Sequence, residues 1–255
     1  MKVLTLSNQK GGVAKTTTSI AIATGLFNKG FRVLAVDLDP QTNMTFACGV
    51  DTMNQDTTLF EVFKGESKVE TIICKTNVGF DLIPGCLSLA SADMDFTQTG
   101  REFMLSESLK DIESNYDYVV IDTPPTLGIL TVNALTSSDL VIVPMNADVY
   151  SVQGLSQLDK QIRNVQKYCN PRLKIGGLLL TKYNDRQNVS KTTKEMIESV
   201  SAQLQTKVFK TFIRESVAVR ESALMQCDMF KESPNSNASV DYMEFINELI
   251  ETGVL

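Results

Sequence analysis

Two lysines bracket a glycine pair in the segment Gln9-Lys10-Gly11-Gly12-Val13-Ala14-Lys15-Thr16-Thr17. A short apolar run, Val3–Leu6, leads into it, and a helix-period segment follows. In such a turn successive backbone N–H groups converge on an anion, and the first turn of the next helix adds its partial positive charge. Lys15 is placed to reach the β- and γ-phosphates of a nucleotide, and the Thr16 hydroxyl to ligate Mg²⁺. The loop departs from the G-x-x-x-x-G-K-[ST] pattern twice: Gln9 stands where its first glycine belongs and Ala14 where its last does. A methyl group at position 14 is expected to be tolerable only if the backbone there avoids a glycine-only conformation.

Carboxylates recur at the ends of two more apolar runs. One run ends in Val36-Asp37-Leu38-Asp39-Pro40-Gln41, another in Ile121-Asp122-Thr123-Pro124-Pro125. Acids at the carboxyl ends of parallel strands point into the ligand crevice of an open α/β sheet. An acid such as Asp122 can hold Mg²⁺ through water, as a Walker-B aspartate does. The chain contains no histidine, which excludes Ser-His-Asp and Cys-His catalysis and histidine metal sites. Its five cysteines, Cys48, Cys74, Cys86, Cys169 and Cys227, form no C-x-x-C pair. A zinc ribbon or redox dithiol is therefore not expected, and free thiols in a reducing cytosol are.

The elements that must position these groups are legible as alternating runs. Val3–Leu6, Val33–Val36, Phe80–Ile83, Tyr118–Ile121, Leu140–Val143 and Ile175–Leu180 are rich in Val, Ile and Leu without polar alternation. Strands covered on both faces have that character. Helix-period segments lie between and after them: Thr16–Lys29, Glu102–Ser114, Leu127–Thr136, Val152–Tyr168 and Ser190–Leu204. The alternation predicts an α/β fold with a mostly parallel central sheet and helices on both faces. At 255 residues the chain reads as a single domain spanning 1–255. Within it, 233–255 is expected to be a loop, Ser233–Ser239, and an appended C-terminal helix, Val240–Glu251.

The run Lys10-Gly11-Gly12-Val13-Ala14-Lys15-Thr16-Thr17 resembles the deviant Walker A motif K-G-G-x-G-K-T. Asp37-Leu38-Asp39-Pro40-Gln41 resembles the A′ motif, and Asp122-Thr123-Pro124-Pro125 the Walker B. With Val143-Pro144 and the Thr181–Ser190 segment, they are similar to the ParA/Soj-type partitioning ATPases of the MinD/ParA superfamily, from residue 1 to about residue 222. The resemblance implies a P-loop NTPase of the deviant Walker type that uses ATP and Mg²⁺. It implies that Lys10 crosses to the nucleotide of the other subunit in an ATP-bound homodimer. Gly11, Gly12, Val13, Ala14, Lys15, Thr16 and Thr17 would cradle the phosphates. Thr16 and Asp122 would hold the metal, and Asp39 would position the attacking water and join the metal site. Phosphoryl transfer needs charge neutralisation and in-line positioning more than covalent help, so a site without histidine is adequate.

Net charge alone argues against nucleic acid: 24 Lys and Arg against 30 Asp and Glu leave −6, with a pI near 4.9. Position reverses the inference. From Lys160 to Arg220 thirteen basic residues meet four acids, a local +9 on a body of −15. Such a segment can hold phosphates by counterion release. Arg186 matches a position that the resembling family uses for nonspecific DNA binding, and Lys191, Lys194, Arg214 and Arg220 are further candidates. The resemblance implies nonspecific double-stranded DNA and a ParB-like centromere-binding protein as partners, and a cytoplasmic, nucleoid-associated protein. The loop begins at residue 10, so no helix-turn-helix is expected ahead of it. A MinD-like positioning ATPase, acting at a membrane or on a protein cargo, is the alternative. Its mark is a basic amphipathic C-terminal helix, whereas Val240–Leu255 carries Asp241, Glu244, Glu248 and Glu251 and no Lys or Arg. No membrane partner is expected, and the helix reads as a packing element.

Overall fold

Alternate side chains of each central strand enter opposite cores. In the computed structural model, which describes residues 1–52, 57–184 and 188–255, Val3 packs on one face of the sheet while Leu4 and Leu6 pack on the other. Leu34 and Val36 oppose Val33 and Ala35, and Val119 and Ile121 oppose Val120, in the same way. Both sets being apolar, these strands must be covered twice.

The first half of the chain runs β1 (Lys2–Leu6), α1 (Lys15–Asn28), β2 (Val33–Asp37), α2 (Asn43–Ala47), α3 (Leu59–Phe63), β3 (Cys74–Lys75), β4 (Asp81–Ile83), α4 (Ala92–Asp95) and α5 (Met104–Lys110). The second runs β5 (Tyr118–Asp122), α6 (Ile129–Ser137), β6 (Leu140–Asn146), α7 (Val149–Tyr168), β7 (Lys174–Thr181), α8 (Asn188–Gln203), α9 (Ala218–Met225), α10 (Met229–Glu232) and α11 (Asn237–Glu251). The strands form one sheet in the order β3-β4-β2-β5-β1-β6-β7. Every pairing is parallel except β3 with β4. Side chains of α3, α5 and α6 pack on the Val3 face, those of α7 and α8 on the same side of β6 and β7, and those of α1 and α11 on the Leu4 face. The outer edge of β7 is not bare: Leu178 N–H donates to the Lys207 carbonyl (2.8 Å) and Ile213 N–H to that of Leu180 (2.8 Å).

Three expectations change. The Glu102–Ser114 helix is α5 alone, flanked by single 3₁₀ turns at Arg101–Phe103 and Glu113–Asn115. The Ser233–Ser239 loop ends early, because Ser236 caps α11 by accepting the Ser239 N–H at 3.2 Å. The C-terminal helix is no appendage. Tyr242, Phe245, Ile246 and Leu249 are fully buried against α1 and the sheet, and removing four large apolar side chains from water is worth several kcal/mol. This burial also accounts for the apolar face that a membrane helix would otherwise present. Among the described residues no helix is long and apolar enough to cross a membrane.

Candidate nucleotide site

Register places the two strand-end acids side by side. Asp37 of β2 and Asp122 of β5 are direct neighbours in the parallel ladder, and both are fully buried. Burial pushes the Asp37 carboxyl up to about 6, against the hydrogen bonds it accepts from Thr45 and the Asp39 N–H. Burial and then the neighbouring Asp37 charge push Asp122 up to about 7. Asp122 accepts from the Thr16 hydroxyl (2.6 Å) and the Ser19 hydroxyl (3.2 Å), so α1 is tied to β5 through this acid. Asp37 instead fixes the A′ turn: it accepts the Thr45 N–H (2.9 Å) and hydroxyl (2.7 Å) and the Asp39 N–H (3.1 Å). Asp39 then faces the site at the end of β2, beside Gln41, whose N–H it accepts at 3.0 Å.

Between β1 and α1 the loop is held from beneath. Val13 is fully buried. Asn8 donates to the Pro144 carbonyl (2.8 Å) and accepts the Lys10 N–H (3.0 Å), which joins the loop to β6. Ala14 lies in the left-handed α well, φ 64° and ψ 31°, which favours glycine but is open to other residues, so the condition set for a methyl group there is met. The left-handed α well admits an L-residue at a cost of about 1–2 kcal/mol, so the turn keeps its shape with strain in place of glycine. No side chain caps α1, which leaves its first N–H groups for a ligand. At Gly11 and Gly12 a Cβ would meet nothing within 4 Å, so the cradle is open above them.

Gly11, Gly12, Ala14, Lys15, Thr16, Thr17, Asp39 and Pro125 line one cleft of about 670 Å³. That volume suits a nucleotide-sized ligand. Burial lowers the Lys15 ammonium pKa, opposed by the charges of Asp122 and Asp39, and its Nζ lies 3.3 Å from the Lys10 carbonyl that it caps. The donor set fits a hard cation: a hydroxyl, Thr16, beside two carboxyls, Asp122 and Asp39, with the Lys15 ammonium as the neighbouring positive charge. Among the described residues no three acids, cysteines or histidines gather to form a complete metal cage. Mg²⁺ commonly takes one or two carboxylates and completes its shell with phosphate oxygens and water.

Lys10 lies apart from the phosphate cradle. Its ammonium is ion-paired with Asp148, the N-cap of α7, which also accepts the Ser151 N–H. Burial raises the Asp148 carboxyl, but the Lys10 and Ser151 hydrogen bonds outweigh it and hold the net value below the ordinary range. Three of the DNA candidates, Lys194, Arg214 and Arg220, have described side-chain surroundings. Arg214 and Arg220 line the nucleotide cleft itself, and Arg214 is gripped by Asp241 of α11 through Nε (2.9 Å), Nη2 (2.6 Å) and its backbone N–H (2.8 Å). Lys194 lies 3.9 Å from Glu198 one turn along α8. Lys191 belongs to α8, and Arg186 lies outside the described residues. Asn8 and Asp148 are neighbours of the site that sequence reasoning missed, though Asp148 carried the Asp-x-x-Ser spacing of a helix start; Thr181 and Lys182 fell in the Thr181–Ser190 segment of the family resemblance but were given no role.

A glycine-bearing turn running from β1 into α1, with acids at the ends of β2 and β5 converging on its first helical turn, defines a P-loop nucleotide-binding protein of the deviant Walker type. A family model described as an AAA domain matches residues 1–175. Over 254 residues the chain is 37% identical to the sporulation initiation inhibitor protein Soj of Bacillus subtilis, covering 99% of each. It is also 37% identical to the chromosome partitioning protein ParA of Caulobacter vibrioides, covering 98% of this chain and 94% of that protein. A structure of cobyrinic acid a,c-diamide synthase from Mycobacterium smegmatis, with bound ADP and magnesium, superposes with a TM-score of 0.85 at 34% identity, covering 98% and 94%. The chain belongs to the ParA/Soj-type partitioning ATPases.

Proposed function

We propose that this protein is an ATP-hydrolysing switch for DNA segregation, in which an ATP-bound sandwich dimer holds DNA nonspecifically and lets go when a ParB-like partner stimulates hydrolysis. The observation that carries the reading is the convergence of Lys15, Thr16, Asp39 and the uncapped start of α1 on one cleft, over the buried Asp122. Loop N–H groups and Lys15 bind and orient the β- and γ-phosphates. Thr16 and Asp122, with Asp39 nearby, would hold Mg²⁺, which would supply charge neutralisation at the phosphates. Asp39 orients a water for in-line attack and accepts hydrogen bonds from it. Lys10 leaves Asp148 to reach the partner's nucleotide, which makes the ion pair a resting position of that side chain. The basic window supports DNA binding along the β7 edge, where Lys160, Arg163 and Lys167 of α7 and Arg172 and Lys174 below it are exposed.

ATP turnover measured with DNA, with partner, and with both tests this reading. Stimulation by both together is expected, and turnover that ignores both refutes it. Asp39→Ala separates hydrolysis from assembly. It is expected to lose at least about 100-fold in turnover, the usual worth of a positioned proton acceptor, while ATP-dependent dimerisation survives in light scattering. The Mycobacterium smegmatis relative is named for a synthase reaction; turnover without any organic acid or amide donor distinguishes the switch from that chemistry.

A further inference from the structure

Two consecutive residues at the end of β7 hold two consecutive carbonyls of the phosphate loop. The Thr181 hydroxyl, buried, donates to the Val13 carbonyl at 3.1 Å and lies 3.1 Å from Asn146 Oδ1 on β6. The Lys182 ammonium donates to the Gly12 carbonyl at 2.9 Å. Lys182 does so from a left-handed backbone, φ 51°, which an L-residue adopts only under constraint. That constraint comes from both sides, because Tyr183 N–H donates to the Ile213 carbonyl (3.0 Å) and Ile213 N–H to that of Leu180 (2.8 Å).

A trans peptide is planar, and its C=O and N–H point in opposite directions. Pinning the Gly12 carbonyl therefore aims the Val13 N–H, and pinning the Val13 carbonyl aims the Ala14 N–H. Carbonyls drawn toward β7 turn those two donors away from it, into the cradle that Lys15 and the start of α1 complete.

We propose that Lys182 is a positioning residue for nucleotide binding, acting through the loop's N–H groups. The inference rests on the nucleotide-binding reading above and deepens it. Lys182 stabilises the loop geometry before and after chemistry alike, so its contribution is uniform binding: it moves KM and leaves kcat.

The test is Mg-ADP affinity by calorimetry and steady-state ATP hydrolysis on the wild-type chain, Lys182→Met and Lys182→Arg. Lys182→Met keeps the apolar stem and removes the donor. Its Kd for Mg-ADP and KM for ATP are expected to rise about tenfold, the effect of losing one charge-assisted hydrogen bond, with kcat within about threefold. Lys182→Arg restores a donor and is expected to recover most of the loss. Lys182→Met with Kd and KM within about twofold of wild type overturns the proposal, and so does an equal fall in kcat with KM unchanged. Should Lys182→Met fold poorly, Lys182→Ala, which also removes the donor, is read by the same two constants against the same limits. Wild-type protein that binds no Mg-ADP overturns the nucleotide reading itself, an outcome separate from the first.

Discussion

Replacing Ala14 with glycine should make this protein more stable. Ala14 occupies φ 64° and ψ 31° at the N-cap of α1. Holding an L-residue there costs about 1–2 kcal/mol from the clash between Cβ and the following carbonyl. Glycine removes that clash but gains freedom in the unfolded chain, which gives back about 0.4–1 kcal/mol. The balance is a net stabilisation of about 0.5–1 kcal/mol, or roughly 1–4 °C in melting temperature for a chain of this size. Thermal unfolding without nucleotide measures it. Ala23→Gly, in the fully buried interior of α1, serves as the opposite-signed control and should lose about 1 kcal/mol or more. Because glycine occupies the same left-handed well without strain, the loop N–H groups should not move, and KM for ATP should stay within about twofold. A lower melting temperature for Ala14→Gly would refute the strain argument. An unchanged melting temperature with altered turnover would mean that the methyl group acts on the chemistry directly.

Arg214→Ala should cost about 1–3 kcal/mol by urea or thermal unfolding, because Asp241 is buried and loses the guanidinium that satisfies it; Arg220→Ala, exposed, should cost less than about 0.5 kcal/mol. Equal costs would sink that distinction. Stability should also depend on pH in a defined window. Asp37 and Asp122 are raised to about 6 and about 7 from ordinary values near 3.8, so between about pH 4 and 7 the folded state binds more protons than the unfolded state, and stability falls as pH rises. Nucleotide-free protein should therefore melt lower at pH 8 than at pH 5.5, and saturating Mg-ADP should shrink the difference. Asp117, held at about 2 by its Arg32 hydrogen bonds, acts only below that window. A melting temperature that rises from pH 5.5 to 8 would contradict the buried-acid account.

Sequence revealed the features whose physics is local. Six strands announced themselves because both their faces are apolar, and the phosphate loop because glycine, lysine and threonine stand at fixed offsets. Strand β3 escaped because two residues, Cys74 and Lys75, carry no period. Helices α2, α3, α4 and α10 escaped for a like reason, at four or five residues each. What failed outright was charge pairing. Asp148 meets Lys10 across 138 positions, and Asp241 meets Arg214 across 27. Nothing in local spacing distinguishes an arginine that solvates a surface from one clamped by a buried acid. Arg214 counts toward the local +9 of the basic window, yet much of its charge is cancelled by an acid outside that window.

That cancellation bears on how the C-terminal helix serves the site. Adjacent residues of α11 face two different parts of it: Asp241 holds Arg214 at the rim of the cleft, and the Tyr242 hydroxyl lies 3.0 Å from the Thr18 hydroxyl on α1, one turn past the phosphate loop. Glu248, two turns on, accepts the N–H groups of Lys210 and Thr211 (both 2.9 Å), the segment that pairs with the edge of β7. A helix whose apolar face fills the core thus uses its acids to set the position of the chain from Lys210 to Arg214. The acidic character of α11 is the property that lets it hold that segment beside the nucleotide site, through Asp241 and Glu248. Of the window's bases, Arg214 is held by Asp241 of α11 and Arg163 by Asp159 of its own helix, so the counterion release of the proposed DNA binding falls to exposed residues such as Lys160, Lys167, Arg172 and Lys174.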